Sequence, residues 1–82
     1  MVDGFILVQA GQGKAASVLR GLRSVEEVID AQMVTGPYDV IIRVRLADLH
    51  DLDVLLSARV KALDGVLRVL ASPVVPRRKA FR

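Results

Sequence analysis

Four short stretches of the chain, residues 4–10, 26–34, 39–46 and 66–72, have the character of β-strands, and in the second and third of them hydrophobic and polar residues alternate. Alternation with a period of two is typical of β-strands, because successive side chains point to opposite faces of a sheet. The third stretch, DVIIRVRL, is the clearest example, since its aliphatic positions alternate with Arg43 and Arg45. The first stretch, GFILVQA, is apolar on both faces, so both of its faces are expected to be covered.

Two other stretches, residues 14–22 and 49–63, carry apolar residues three or four positions apart, which predicts two helices. Asp48 is expected to cap the second helix, with Asp51 favourable in its first turn. The resulting order is βαββαβ within one domain, residues 1–75. It predicts an α+β fold, a ferredoxin-like βαββαβ sandwich of the dimeric α/β-barrel type, with four antiparallel strands and both helices on one face.

The other face of such a sheet is open. We expect apolar area on it from Phe5 or Ile6, from Val8, and from Leu67 or Val69. The chain has 82 residues and is 52% hydrophobic, and a domain of this size buries only about 60% of its unfolded surface. An uncovered apolar sheet face is an interaction surface. The pattern therefore predicts an obligate homodimer in which two sheets pack face to face.

Composition excludes several classes of protein. The chain has no cysteine and one histidine, which excludes disulfides, thiolate metal sites and cysteine nucleophiles and disfavours zinc, so no metal or cofactor is expected. No apolar run approaches the roughly 20 residues of a membrane span, and the acidic MVDG start does not open a signal peptide, so a cytoplasmic protein is expected. Four of the twelve basic residues lie at 77–82, which predicts a flexible basic tail, residues 76–82, and a nearly neutral body.

The stretch Val28–Leu46 reads VIDAQMVTGPYDVIIRVRL, in which a strand, a compact Thr-Gly-Pro-Tyr-Asp turn and an apolar strand follow one another. The apolar helix Leu49–Leu63, the pair Gly65-Val66 and the strand VLRVLAS come after it. This series resembles the effector-binding (RAM) domain of the Lrp/AsnC family of transcription regulators over residues 3–75. Regulators of that family carry a DNA-binding domain before this one, whereas the first strand here begins near residue 4. The resemblance therefore implies a stand-alone effector domain without direct DNA binding.

The turn Thr35–Asp39 is the best candidate for a binding site. Gly36 permits positive φ, and the turn can direct backbone N–H groups at a carboxylate while Asp39 accepts from an ammonium group, which together suit an α-amino acid. The resemblance implies that amino acids bind near this turn, at contacts between dimers, and that Ser72 contributes a hydroxyl. The predicted ligand-binding residues are Thr35, Gly36, Tyr38, Asp39 and Ser72. The alternative is a purely structural hairpin whose aspartate caps its own backbone.

Other acidic residues, Glu26-Glu27 with Asp30, are interpreted as an exposed strand edge. The predicted function is non-catalytic sensing of a small molecule of the amino acid class, coupled to assembly of dimers into tetramers or octamers. Association with full-length Lrp/AsnC regulators is the expected output. The alternatives are a small dimeric α/β-barrel enzyme of the monooxygenase type and an RNA-binding sheet. Against the enzyme, the sequence pairs no nucleophile with a base. Against RNA binding, the strand DVIIRVRL has no aromatic residue on which a base could stack.

Overall fold

The computed structural model of the protein describes residues 1–75, and the predicted basic tail, residues 76–82, lies outside the described residues. The chain forms a four-stranded antiparallel sheet with the strand order β2-β3-β1-β4. Its elements are β1 (Val2–Ala10), α1 (Ala15–Arg23), β2 (Val28–Met33), β3 (Val40–Leu46), α2 (Asp51–Leu55), a π-helical segment (Leu56–Val60) and β4 (Val66–Pro73). The predicted α+β sandwich is confirmed.

The core lies between one face of the sheet and the helices. Alternate residues of β3 are buried, while Arg43 and Arg45 between them are exposed, as the alternation of the sequence predicts. Val18 and Leu22 of α1 and Leu52 of α2 pack in the same cluster as the buried strand residues. Both helices therefore cover the same face, and the opposite face carries no helix of residues 1–75. The fully buried side chains of the sheet are Ile6, Val8, Val40, Ile42 and Val44.

The expectation that Val8 contributes to the open face is wrong. Val8 pairs with Val40 on one side and Val69 on the other and is fully buried on the helix side. Phe5 is on the open face, as expected, because it alternates with the buried Ile6. Leu67 lies at an irregularity in the β1–β4 pairing, where the register shifts between Gln9 and Ala10.

The second helix is shorter and less regular than its apolar stripe predicts. The Oδ1 atom of Asp48 accepts a hydrogen bond from the His50 N–H at 2.9 Å, and Oδ2 of Asp51 accepts from the Asp48 N–H at 3.2 Å. These bonds hold a turn before the helix, and α2 begins only at Asp51. At Leu56 the helix widens, and its carbonyl accepts from the Lys61 N–H five residues on, at 2.8 Å. Within residues 1–75, no helix is long and apolar enough to cross a membrane.

Candidate functional site

The turn between β2 and β3 is exposed at Thr35, Gly36 and Pro37. Gly36 has a φ of +122°, which an L-residue rarely adopts. The backbone N–H groups of Thr35, Gly36 and Tyr38 have no acceptor within residues 1–75. The turn therefore has three backbone donors without an acceptor within residues 1–75.

Asp39 is half-buried and joins the turn to the adjacent strand. Its Oδ2 atom accepts from the backbone N–H of Ala10 at 2.8 Å, and its own N–H donates to the Val8 carbonyl at 2.9 Å. Its carbonyl accepts from the Val34 N–H at 2.8 Å, which closes the turn. Asp39 therefore has a structural role, while Oδ1 has no donor within the described part of the chain.

The remaining predicted residues lie at different distances from Asp39. Tyr38 is half-buried, and its ring lies 6.0 Å from the guanidinium carbon of Arg68 in β4, which is cation–π range. Ser72 is exposed and pairs with Phe5, three positions along β4 from the pair Val69–Val8. At about 3.3 Å per residue this is about 10 Å along the strand. Within one chain, the structure brings Thr35, Gly36, Tyr38 and Asp39 together but not Ser72.

The face of the sheet away from the helices, called here the open face, has an apolar centre. Leu7 of β1 pairs with Ile41 on one side and with Leu70 on the other. Phe5, two positions before Leu7, is 38% exposed and Leu70 is 49% exposed. The open face therefore presents a contiguous apolar cluster that residues 1–75 leave uncovered.

An ionic cluster borders this apolar centre. The carboxylate of Asp3 accepts from Arg43 at 2.6 Å and from Arg45 at 2.8 and 3.1 Å. The hydrogen bonds from Arg45 and then from Arg43 lower the pKa of Asp3 well below its usual range, and the same contact raises the pKa of Arg45. The Arg43 guanidinium also lies 5.7 Å from the centre of the Phe5 ring. The cluster holds both arginines beside the apolar centre, with one net positive charge.

Glu27 was missed by the sequence analysis, which placed it with Glu26 on an exposed edge. Glu26 and Asp30 are indeed exposed, but Glu27 is half-buried. Its Oε1 atom is buried and has no hydrogen-bond partner within residues 1–75. The only sequence signal was the repeated acid before a strand, which does not distinguish the two glutamates.

The chain is a small α+β domain with an exposed turn at one end of its sheet, and comparison with known proteins identifies its family. The family model described as the Lrp/AsnC ligand binding domain matches residues 3–82. The chain therefore belongs to the Lrp/AsnC ligand-binding domain family, and the resemblance found in the sequence is confirmed. No curated protein matches the chain by sequence.

Solved structures agree with this assignment. TTHA0845 from Thermus thermophilus is 26% identical with a TM-score of 0.89, and the match covers 95% of this chain and 98% of that one. AsnC from E. coli is 25% identical with a TM-score of 0.86, covering 93% of this chain and 52% of AsnC. The regulator NMB0573 from Neisseria meningitidis, solved with L-Met, shares the fold at 20% identity and a TM-score of 0.82, covering 95% and 52%. The chain thus spans nearly all of the first relative and about half of the two regulators.

Proposed function

We propose that the chain is a non-catalytic sensing domain that binds an amino acid and assembles with further copies of itself through its sheet. Membership of a family of ligand-binding domains supports the sensing role. The complex of NMB0573 with L-Met supports an amino acid as the class of ligand. No step of the proposal requires a catalytic group.

The apolar cluster on the open face carries the proposal. Its members Phe5, Leu7, Ile41 and Leu70 are contiguous across three strands, and the helices lie on the other side of the sheet. When a partner covers exposed apolar area of this kind, its removal from water stabilises the complex. A second copy of the chain offers the same cluster, so two open faces related by a two-fold axis would cover each other.

The turn Thr35–Asp39 is the proposed ligand site. The three available N–H groups suit the carboxylate of an amino acid, and Oδ1 of Asp39 suits its ammonium group. The turn is open to solvent in one chain, so a second dimer is proposed to close the site and to supply its other contacts, including Ser72. A ligand held between dimers stabilises the assembly that forms its pocket, and assembly raises its affinity by the same factor.

The proposed output is association with full-length regulators of the same family. The chain matches about half of AsnC, so its open face and turn would have counterparts in such regulators. A mixed assembly would then carry the ligand response to a DNA-bound protein without DNA contacts from residues 1–75.

A thermal-shift screen of the twenty standard amino acids, combined with light scattering of the same samples, tests this function. At least one amino acid should raise both the melting temperature and the assembly size. Asp39→Ala should abolish the increase in assembly size, whereas Asp30→Ala, which removes an exposed acid on the edge strand, should leave it intact. A panel without any response would exclude sensing and leave a structural partner role. An increase in assembly size that persists in Asp39→Ala would exclude the turn.

A further inference from the structure

A cleft of about 380 Å³ lies at the end of the β2–β3 hairpin opposite to the Thr35–Asp39 turn. β3 has seven residues, so the two places are separated by about 20 Å along the strand. The cleft is formed by the residues before β2, the end of β3, α2 and the π-helical segment. Its charged and larger apolar lining residues are Glu27, Arg45, Asp51, Val54, Leu55 and Arg59.

Glu27 contributes a carboxylate that lacks part of its hydrogen bonding. Its backbone is fixed, because its carbonyl accepts from the Arg45 N–H at 3.0 Å. Its buried Oε1 has no donor within residues 1–75. A carboxylate oxygen removed from water without a donor is unfavourable, and hydrogen bonds to charged groups are the stronger ones. The last torsion of a glutamate side chain is soft and roughly two-fold, so the carboxylate can present either oxygen to a donor in the cleft.

The cleft also offers a guanidinium group without a carboxylate partner. Among residues 1–75, no acid lies within 4.0 Å of the Arg59 side-chain nitrogens, and Glu27 is therefore not its partner. Arg45, the other arginine of the cleft, is already held by Asp3. Val54 and Leu55 provide apolar lining in the same cleft. The lining thus combines the Glu27 carboxylate, a guanidinium without a carboxylate partner, an apolar surface and a second acid, Asp51, whose Oδ2 atom already accepts from the Asp48 N–H.

The cleft is large enough for a small ligand, and the local helix geometry is of a kind found at functional sites. Small-molecule sites occupy about 300–1,000 Å³, whereas one water has a share of about 30 Å³. Ala58 and Arg59 line the cleft from the π-helical segment Leu56–Val60. π-helical turns inside α-helices are rare and frequently occur at functional sites.

We infer that this cleft is a second binding site, formed within one chain, for a small zwitterion of the α-amino-acid type. The ammonium group of the ligand donates to Glu27, its carboxylate accepts from Arg59, and its side chain contacts Val54 and Leu55. This site does not depend on the turn Thr35–Asp39 or on the proposed assembly.

Hydrogen exchange of the full chain, measured by mass spectrometry with each of the twenty standard amino acids, tests the inference. At least one amino acid should slow exchange in residues 45–60. The α-hydroxy acid corresponding to that amino acid, which lacks the ammonium group, should have no such effect. Because charge-assisted hydrogen bonds are lost, Glu27→Gln and Arg59→Gln should each weaken binding by about tenfold or more. Glu26→Gln is the matched control and should bind like the wild type.

Three results would overturn the inference. The first is the absence of protection in residues 45–60 with every amino acid. If protection were instead confined to residues 34–40, lost in Asp39→Ala and kept in Glu27→Gln, the turn alone would be the binding site. The second is undiminished binding by Glu27→Gln. The third is a lower melting temperature of ligand-free Glu27→Gln than of Glu26→Gln, since Glu27 would then already have a donor within the protein.

Discussion

Leu70→Ala gives the most direct test of the open face. Leu70 lies on that face in the edge strand β4, paired with Leu7, and it is 49% exposed in one chain. The half of the side chain that contacts its own sheet contributes to folding. The exposed half contributes only when a partner covers it. The substitution should therefore weaken the dimer more than it weakens the fold.

The expected size follows from the exposed fraction. Full burial of a leucine side chain contributes about 1.5–3 kcal/mol, so the exposed half of Leu70 contributes about 1 kcal/mol. A two-fold interface contains the residue twice, which makes the loss about 2 kcal/mol. Since about 1.4 kcal/mol corresponds to a tenfold change in an equilibrium constant, the dimer dissociation constant should rise about thirtyfold.

Sedimentation velocity over a range of protein concentrations measures this constant. Val54→Ala is the matched control, because Val54 is 65% exposed and lies in α2, on the side of the sheet away from the open face. An equal rise of the dimer dissociation constant in both variants would refute the reasoning, because the effect would not depend on the position of the residue. A folded wild-type monomer at micromolar concentration would refute it more directly, since the open face would then need no partner.

Three further outcomes follow from the contacts within one chain. Asp3→Asn should be less stable to urea than the wild type at neutral pH. Because folding lowers the pKa of Asp3 from its usual 3.8, the difference should shrink as the pH falls below that value and should not change between pH 6 and 8. Gly65→Ala should lose about 1–3 kcal/mol of unfolding free energy, because φ at Gly65 is +97° and the new methyl carbon would lie 2.8 Å from the β-carbon of Lys14, just before α1. Gly13→Ala should lose less, because its new methyl carbon would meet no atom within 4 Å. Without ligand, Asp39→Ala should lose about 1–3 kcal/mol in chemical denaturation by leaving the Ala10 N–H without its acceptor, and equal stability of the two proteins would contradict this.

Strand positions with a polar face were predictable from the sequence, and the doubly apolar strand was not. Arg43 and Arg45 mark one face of β3, so the buried face was evident from alternation. In β1 both faces are apolar because this central strand pairs with β3 and β4 and contributes to the core and the open face alike. Nothing in GFILVQA distinguishes the two faces, and this is why Val8 was placed on the wrong one.

The helix and the candidate sites show a similar limit. The spacing of Leu52, Leu56 and Val60 predicts a helix, but a change from i−4 to i−5 hydrogen bonding inside it alters only one backbone step and leaves no clear trace in the sequence. The turn at Thr35–Asp39 was predictable because glycine and proline specify local backbone geometry. The roles of Asp39 and Glu27 depend on partners distant in sequence, so they become visible only when the strands are paired.

The position of the two proposed sites on opposite ends of one hairpin makes them thermodynamically distinguishable. A site closed by a second dimer gains affinity as the protein assembles, so ligand affinity at the Thr35–Asp39 turn should rise with protein concentration. The cleft beside Glu27 is complete within one chain, so its affinity should not depend on protein concentration. Leu70→Ala, which weakens assembly through the open face, should therefore reduce binding at the turn and leave binding at the cleft unchanged. Equal losses at both places would mean that the open face and the cleft are coupled through β3, which contributes Ile41 to one and Arg45 to the other.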